Sequence, residues 1–98
     1  NACIWTKAKI GDFSIISPNV VIAHHATIGK ACLISLLTGV GASSILEDRV
    51  FAGMGCTIVP SARRIGKDSV IGAGAVVLKD IEGNSIYAGV PAKKLRDV

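Results

Sequence analysis

Apolar residues recur every six positions along this chain, and that period leaves few folds open. In steps of six from Ile4 to Ile58, nine of ten positions are Ile, Val or Leu, and the tenth is Ala52. One extra residue within PSARRIG (60–66) shifts the phase, after which the step resumes. Repeats of this kind define whole architectures, so the period must be explained first. The series is Ile4, Ile10, Ile16, Ile22, Ile28, Ile34, Val40, Leu46, Ala52, Ile58, then Ile65, Ile71 and Val77.

A second position, four residues after each aliphatic one, carries only small or β-branched residues. Glycine often follows the aliphatic residue directly, and we expect it there because it permits backbone conformations that a Cβ atom penalises. The second series is Ala8, Ser14, Val20, Ala26, Cys32, Thr38, Ser44, Val50, Cys56, Ala62, Ser69 and Ala75. The glycines are Gly11, Gly29, Gly41, Gly53, Gly66 and Gly72.

A period of six matches neither a 3.6-residue helix nor a plain alternating strand. It is typical of a parallel β-helix, in which short strands and turns stack coil on coil and the aliphatic residue points inward. We therefore predict an all-β fold, a hexapeptide-repeat solenoid over residues 1–82. Residues 83–98 are predicted to be a C-terminal closing segment, and within it GVPAKKLRDV (89–98) is expected to form a tail or a short helix.

Composition excludes several classes of protein. No apolar run reaches the roughly 18 residues of a membrane span, and the first ten residues do not resemble a signal peptide. Three cysteines without CxxC spacing disfavour a disulfide framework or a zinc site and predict a cytoplasmic location. Only 4% of the residues are aromatic, so stacking platforms for nucleic acid are nearly absent.

The hexads carry a resemblance to a known family. The [LIV]-G-x-x-[small]-x pattern, IAHHATIG (22–29), VIGAGAVVLKDI (70–81) and IYAGVPAKKL (86–95) resemble the hexapeptide-repeat acyltransferases. The most similar group is the sialic acid O-acetyltransferases and bacillosamine-type sugar N-acetyltransferases. The resemblance implies a left-handed β-helix of about five coils, with about 18 residues per coil, and a homotrimer with active sites between subunits. We expect the chain to lack that group's N-terminal sugar-nucleotide-binding domain.

Three hexads per coil assign the outward residues to three faces of a triangular prism. The first face is wholly apolar, which makes it a candidate subunit interface, although scattered apolar residues also occur on wet surfaces. It would show Ile15, Leu33, Phe51 and Val70. The second would show Lys9, Thr27, Ile45 and Arg64, and the third Val21, Gly39, Thr57 and Val76.

The two histidines of the chain are adjacent, in VVIAHHATIG (20–29). The register places His24 at the end of a strand and His25 in the following corner. An isolated histidine is more often a surface or structural residue than a base. The resemblance implies that His24 is the general base of a direct acyl transfer, without an acyl-enzyme. Cys32 and Cys56 fall on inward positions and are expected to be buried and unreactive.

His25 departs from the family pattern, since the sugar acetyltransferases commonly carry an acidic residue after the catalytic histidine. A second imidazole cannot stabilise an imidazolium as a carboxylate does. The activity is therefore expected to be weak, shifted to higher pH, or supported by another acid such as Asp12 or Glu47. Loss of activity is also open.

Acetyl-CoA is the donor that the resemblance implies, with a sugar or similar small molecule as the acceptor. Leu33, Met54 and Ala73 match places where the family contacts the cofactor. Gly53, Gly72 and Gly74 would leave the surface open to main-chain hydrogen bonds with the pantetheine arm. Lys93 and Lys94 would lie near its phosphates, for which a net charge of +4 is suitable; an ordinary solvated basic surface is an equal alternative.

Three other functions share parts of this sequence pattern. A γ-class carbonic anhydrase needs three metal-binding histidines, and this chain has two, so no metal site is predicted. An acyl-carrier-protein-dependent lipid A acyltransferase shares the AH hexad, but the GVPAKKL ending favours acetyl-CoA. A catalytically weak or inactive trimeric solenoid without its acceptor-binding domain is the remaining alternative. The sequence leaves the acceptor and the choice between N- and O-acetylation open.

Overall fold

The computed structural model describes residues 2–60 and 63–98. Its thirteen inner strands have two residues each, because each coil side is straight for only that length between turns. They are β1 (Cys3–Ile4), β2 (Lys9–Ile10), β3 (Ile15–Ile16), β4 (Val21–Ile22), β5 (Thr27–Ile28), β6 (Leu33–Ile34), β7 (Gly39–Val40), β8 (Ile45–Leu46), β9 (Phe51–Ala52), β10 (Thr57–Ile58), β11 (Arg64–Ile65), β12 (Val70–Ile71) and β13 (Val76–Val77). Two longer strands follow, β14 (Ser85–Ala88) and β15 (Lys93–Asp97).

Every third strand pairs in parallel, which produces three sheets and the predicted prism. Sheet A contains β1, β4, β7, β10 and β13, sheet B contains β2, β5, β8 and β11, and sheet C contains β3, β6, β9, β12, β14 and β15. Partners such as Lys9 and Thr27, or Leu33 and Phe51, are 18 residues apart. The predicted fold and all three outward columns are therefore confirmed, and the fold matches the left-handed β-helix.

The core is the column of inward aliphatic side chains, and from Ile22 to Val77 each member is at most 2% exposed. Ile4, in the first coil, is 49% exposed because no coil stacks on its outer side among the described residues. The second series is buried as predicted from Val20 onward, including Cys32 and Cys56. Ala62 lies outside the described residues. The carbonyl of Arg63 accepts the hydrogen bond from the Ile45 amide, so Arg63 occupies the ladder position that we had assigned to Ala62.

Left-handed residues form the corners, but they are mostly not glycines. In most coil sides of the described residues, the third residue after the inward aliphatic position has φ between 55° and 71°, for example Ala31 and Leu37; Asp80, the third residue after Val77, does not. This is the conformation that the third residue of a type II turn requires. Our expectation for the glycines that follow the aliphatic residue was therefore wrong. They are small because coils approach closely there: a Cβ atom on Gly41 would lie 2.4 Å from the nitrogen of Pro60.

The C-terminal segment forms a strand, so the short helix that we allowed at 89–98 is wrong. β14 adds a parallel strand to β12, and β15 pairs antiparallel with β14. Pairing covers the otherwise open edge of sheet C, which provides hydrogen-bond partners that a helix would leave unused. The division at residue 82 stays a prediction. Among residues 2–60 and 63–98 there is no helix, and hence none that could cross a membrane.

Candidate functional site

His24 and His25 are the two central residues of a turn that joins sheet A to sheet B. We call the stack of such turns the A–B corner. The Ala26 amide donates to the Ala23 carbonyl at 3.3 Å, and His25 takes the left-handed conformation with φ 60°. The coils on either side fix the turn, because the His25 amide donates to Thr6 and the His24 carbonyl accepts from Ser43. Both side chains are exposed, as predicted for a strand end and a corner.

The two imidazoles contact each other through their Nδ1 atoms, which lie 3.0 Å apart. The rings are nearly perpendicular, at 89°, and the Trp5 ring centroid is 6.5 Å from that of His24. One Nδ1 must carry a proton and the other must offer its lone pair for this contact to be a hydrogen bond. The contact therefore orients His24 without any carboxylate, and it is lost when both rings are protonated.

Neither acid proposed as a helper lies beside His24. Asp12 and Glu47 are in turns that join sheet B to sheet C, which we call the B–C corner. The Glu47 carboxylate accepts from Arg64 Nη1 at 2.7 Å and from the Lys67 amide at 3.0 Å, and these bonds lower its pKa. Within one chain, the idea that Asp12 or Glu47 supports His24 is therefore wrong.

The three cysteines of the chain differ in exposure. Cys32 and Cys56 are buried, and burial raises the pKa of the Cys56 thiol. Cys3 is exposed. Residues 2–60 and 63–98 contain no group of three or more His, Cys, Asp or Glu side chains that could hold a metal ion.

The predicted cofactor residues lie on another side of the prism. Leu33 points outward from sheet C, while Gly53 and Met54, like Gly72, Ala73 and Gly74, lie in turns that join sheet C to sheet A. We call this stack the C–A corner. The C–A and A–B corners flank sheet A, so within a single chain the width of that sheet separates these residues from His24.

The glycine amides expected to bind a pantetheine arm are already occupied. Those of Gly53 and Gly72 donate to carbonyls of the next coil at 2.8 Å, and that of Gly74 donates to Met54 at 2.9 Å. Met54, in contrast, is 52% exposed and Ala73 is also exposed. The exposed side chains of this corner, rather than the glycine amides, are therefore available to a ligand.

Lys93 and Lys94 differ in availability. Lys94 Nζ lies 3.0 Å from Glu82 and 2.8 Å from Asp97, and these contacts raise its pKa. Lys93 instead lines a cavity of about 310 Å³ with Lys79 and Tyr87, between the last coil and the β14–β15 pair. Of the two, Lys93 is the lysine that can meet a phosphate.

Sheet A carries a groove of about 240 Å³ that the sequence did not predict. It runs past Ala23, Gly39, Gly41 and Pro60, next to the turn that holds His24. At a strand spacing of about 4.8 Å, three coils or roughly 14 Å separate that turn from Lys79 at the cavity above. Gly39, a glycine in an outward column of larger residues, was the available signal.

The chain has acyltransferase relatives along nearly its whole length. A search of known family models finds no match. A protein of Schizosaccharomyces pombe, provisionally named an acetyltransferase, is 40% identical over 91% of this chain and 42% of its own length. A UDP-3-O-acylglucosamine N-acyltransferase of a Caulobacter strain is 31% identical over 98% of this chain and 29% of its own. The chain thus spans less than half the length of these relatives.

Solved structures of acetyltransferases share the fold. Serine acetyltransferase of Neisseria gonorrhoeae superimposes with a TM-score of 0.92 at 27% identity, over 99% of this chain and 42% of that one. A histidine-to-alanine variant of GDP-perosamine N-acetyltransferase from Caulobacter crescentus was crystallised with CoA and GDP-perosamine. It superimposes with a TM-score of 0.74 at 26% identity, over 98% of this chain and 54% of that one. The resemblance drawn from the hexads is confirmed: this chain is a β-solenoid related to the hexapeptide-repeat acyltransferases.

Proposed function

We propose that the chain transfers an acetyl group from acetyl-CoA to an amine or hydroxyl of a sugar or similar small acceptor. The acyltransferase relatives support the reaction class. The observation that carries the proposal is the placement of His24. It is exposed in a turn that is hydrogen-bonded to the coils on either side, and its ring is oriented by the Nδ1 contact with His25. A cytoplasmic location goes with it, since the three cysteines are unpaired.

His24 acts as the general base. Its ring nitrogen away from His25 takes the proton of the acceptor N–H or O–H as that atom attacks the thioester carbonyl carbon. The new C–N or C–O bond forms, the C–S bond breaks, and the CoA thiolate receives the proton from the imidazolium. His25 keeps the His24 ring in place during both transfers.

The donor site needs a second subunit. A related structure with bound CoA supports a CoA donor. The residues assigned to acetyl-CoA lie away from the A–B corner; they are Leu33, Met54 and Ala73. A cyclic trimer joins two different surfaces of neighbouring subunits. We assign sheet C as one surface, with Ile15 60% and Phe51 40% exposed. The other is the sheet A side that carries His24, which brings His24 of one subunit to the cofactor residues of the next.

Phe51→Glu tests this assembly. A carboxylate in the centre of sheet C opposes burial of that sheet, so monomers are expected in light scattering of the variant. Ile45→Glu on sheet B is the matched control and should stay trimeric. A trimer of Phe51→Glu together with monomers of Ile45→Glu would assign the interface to sheet B instead.

Calorimetric titration with acetyl-CoA and turnover assays test the reaction. His24→Ala should bind acetyl-CoA with unchanged affinity and lose about 10²- to 10⁴-fold in kcat. Lys30→Ala, at the same turn position of the B–C corner, should retain both properties. No acetyl-CoA binding by a confirmed trimer would reject the enzyme and favour the scaffold alternative, and equal kcat in His24→Ala would move the base elsewhere.

An acyl-carrier-protein donor is the second candidate, because one of the relatives is a UDP-3-O-acylglucosamine N-acyltransferase. The Lys93 cavity favours CoA, since its two lysines, Lys79 and Lys93, outnumber the carboxylate of Asp80 and can meet phosphates beside apolar walls. A transfer assay with acetyl-CoA and with an acyl-carrier-protein thioester in parallel distinguishes the two donors. Faster transfer from the carrier protein would overturn the acetyl-CoA assignment.

A further inference from the structure

Two successive coils form a cavity of about 480 Å³ that is lined by His25, the second residue of the histidine pair. The hydrogen bond from the His25 amide to the Thr6 carbonyl stacks the turn of Lys7 under that of His25. Lys9 and Thr27 are register partners on sheet B. The side chains of Lys7, Lys9, His25 and Thr27 therefore line one cavity. Its volume lies within the usual range for small-ligand sites.

The charge of this cavity is uncompensated. Lys7 and Lys9 are exposed, and the ion pairs found among residues 2–60 and 63–98 involve neither of them. No carboxylate lines the cavity in the described part of the chain. Asp80, the acid of the A–B corner within that part, lies three coils away and accepts from the Arg64 amide. Two ammonium groups without a partner attract an anion.

The position of the cavity identifies which reactant would fill it. His25 is both a wall of the cavity and the neighbour of His24, at 3.0 Å. A ligand held there lies beside the base and far from Lys93, where the donor phosphates are assigned. We propose that the acceptor itself is anionic, and that Lys7 and Lys9 bind its carboxylate or phosphate while the Thr27 hydroxyl donates a hydrogen bond. This inference rests on the proposed function and narrows its substrate class.

Matched acceptor pairs test the inference with the trimeric chain and acetyl-CoA. L-Serine is compared with L-serinamide for a carboxylate, and glucosamine 6-phosphate with glucosamine for a phosphate. The anionic member of at least one pair should show a kcat/KM at least about tenfold higher, equivalent to about 1.4 kcal/mol. The pair that shows the preference identifies the anion.

Charge-neutral variants locate the effect. Lys7→Gln with Lys9→Gln should remove the preference by raising KM for the anionic acceptor, with kcat nearly constant. Lys30→Gln with Lys67→Gln, two exposed lysines of the B–C corner, is the matched control and should leave the preference intact. Equal kcat/KM within both pairs would overturn the inference, as would an acetyl-CoA affinity that falls in Lys7→Gln with Lys9→Gln, because the lysines would then serve the donor.

Failure of the proposed function gives a different result. If no acceptor is acetylated, calorimetric binding of glucosamine 6-phosphate and of L-serine is measured without acetyl-CoA. Binding that the Lys7→Gln, Lys9→Gln variant loses would establish the anion site and reject the transferase. Binding that the variant keeps, or the absence of binding by both proteins, would reject the anion site as well.

Discussion

The A–B and B–C corners share one backbone and differ in how their charges are used. Both repeat a turn with a left-handed residue, His25 in one and Ala31 in the other. At the B–C corner, Asp68 pairs with Arg49 at 2.7 Å, and Glu47 bridges two coils through Arg64 and Lys67. At the A–B corner, Lys7 has no ion-pair partner among the described residues.

This difference separates structural from functional charge. The ladder of backbone hydrogen bonds holds both corners alike, so side chains at a corner are not needed for the turn itself. At the B–C corner, the side chains of Arg49, Asp68 and Glu47 join neighbouring coils. At the A–B corner, Asp80 accepts from the Arg64 amide. Lys7, His24 and His25 of that corner, however, are open to solvent, which is the condition for binding a ligand.

The largest expected effect tests what the two corners share, the close approach of coils. Gly41→Ala should lower the free energy of unfolding by about 3 kcal/mol, because its Cβ atom would lie 2.4–2.7 Å from backbone atoms of Ile58 and Pro60. Gly39→Ala, whose Cβ atom would meet no atom within 4 Å, should change it by less than about 0.5 kcal/mol. Denaturant unfolding measures both. Equal losses would mean that coil contact does not select glycine.

The next effect concerns the polar pair that distinguishes the A–B corner. His25→Gly fits the left-handed turn and removes the Nδ1 contact, so kcat should fall about tenfold with stability retained. His25→Asp also tolerates this conformation and adds a carboxylate, which should raise kcat above that of the parent. Identical kcat in all three proteins would show that His25 does not position His24.

A smaller effect tests the charged side chains that join neighbouring coils at the B–C corner. The folded-state pKa of Glu47 is lowered by Arg64 and the Lys67 amide. Its stabilising contribution is therefore complete above the ordinary glutamate pKa of about 4.3 and is lost as pH falls through the lower folded-state value. Glu47→Gln should reduce Tm by a few degrees at pH 7, and by nothing once Glu47 is protonated. A reduction that persists at pH 2 would point to packing rather than charge.

The smallest effect tests the left-handed residue itself. Ala31 has φ 55°, a conformation that costs a residue with a Cβ atom about 1 kcal/mol. Ala31→Gly should therefore stabilise the chain by about 0.5 kcal/mol, after the extra entropy of the unfolded glycine is subtracted. Ala42→Gly, at a turn position without positive φ, should destabilise it slightly. Thermal unfolding compares the two, and stabilisation of both would contradict the argument.

Much of the fold was predictable because two residues per hexad, one aliphatic and one small, must be buried. That rule placed Leu33, Phe51 and Cys56 on the correct sides before the structure was known. It failed where local sequence was used alone. The composition of residues 89–98 allowed a tail or a short helix, but pairing of β15 with β14 decides their conformation. The glycines suggested turn geometry, but contact between coils explains them.

The candidate site was predictable only in outline. The motif placed His24 at a strand end and His25 in the corner, whereas their mutual contact depends on side-chain orientation. Lys93 and Lys94 are adjacent in sequence, and only their neighbours in space show that Lys94 is held by Glu82 and Asp97.

The sequence by itself determined the period and the inward residues, because burial depends on residue type and spacing alone. The number of coils and the corner of each polar residue needed in addition the three hexads per coil that the family resemblance implies. Tertiary structure decided the orientation in which His24 meets His25 within one turn. It also decided which side chains of successive coils meet: the cavity of Lys7 and Lys9, and the ion pairs of Glu47 and Asp68. The physical reason is that coils stack at about 4.8 Å. Residues some 18 positions apart become neighbours, and their pairing depends on distance and orientation that no local pattern records.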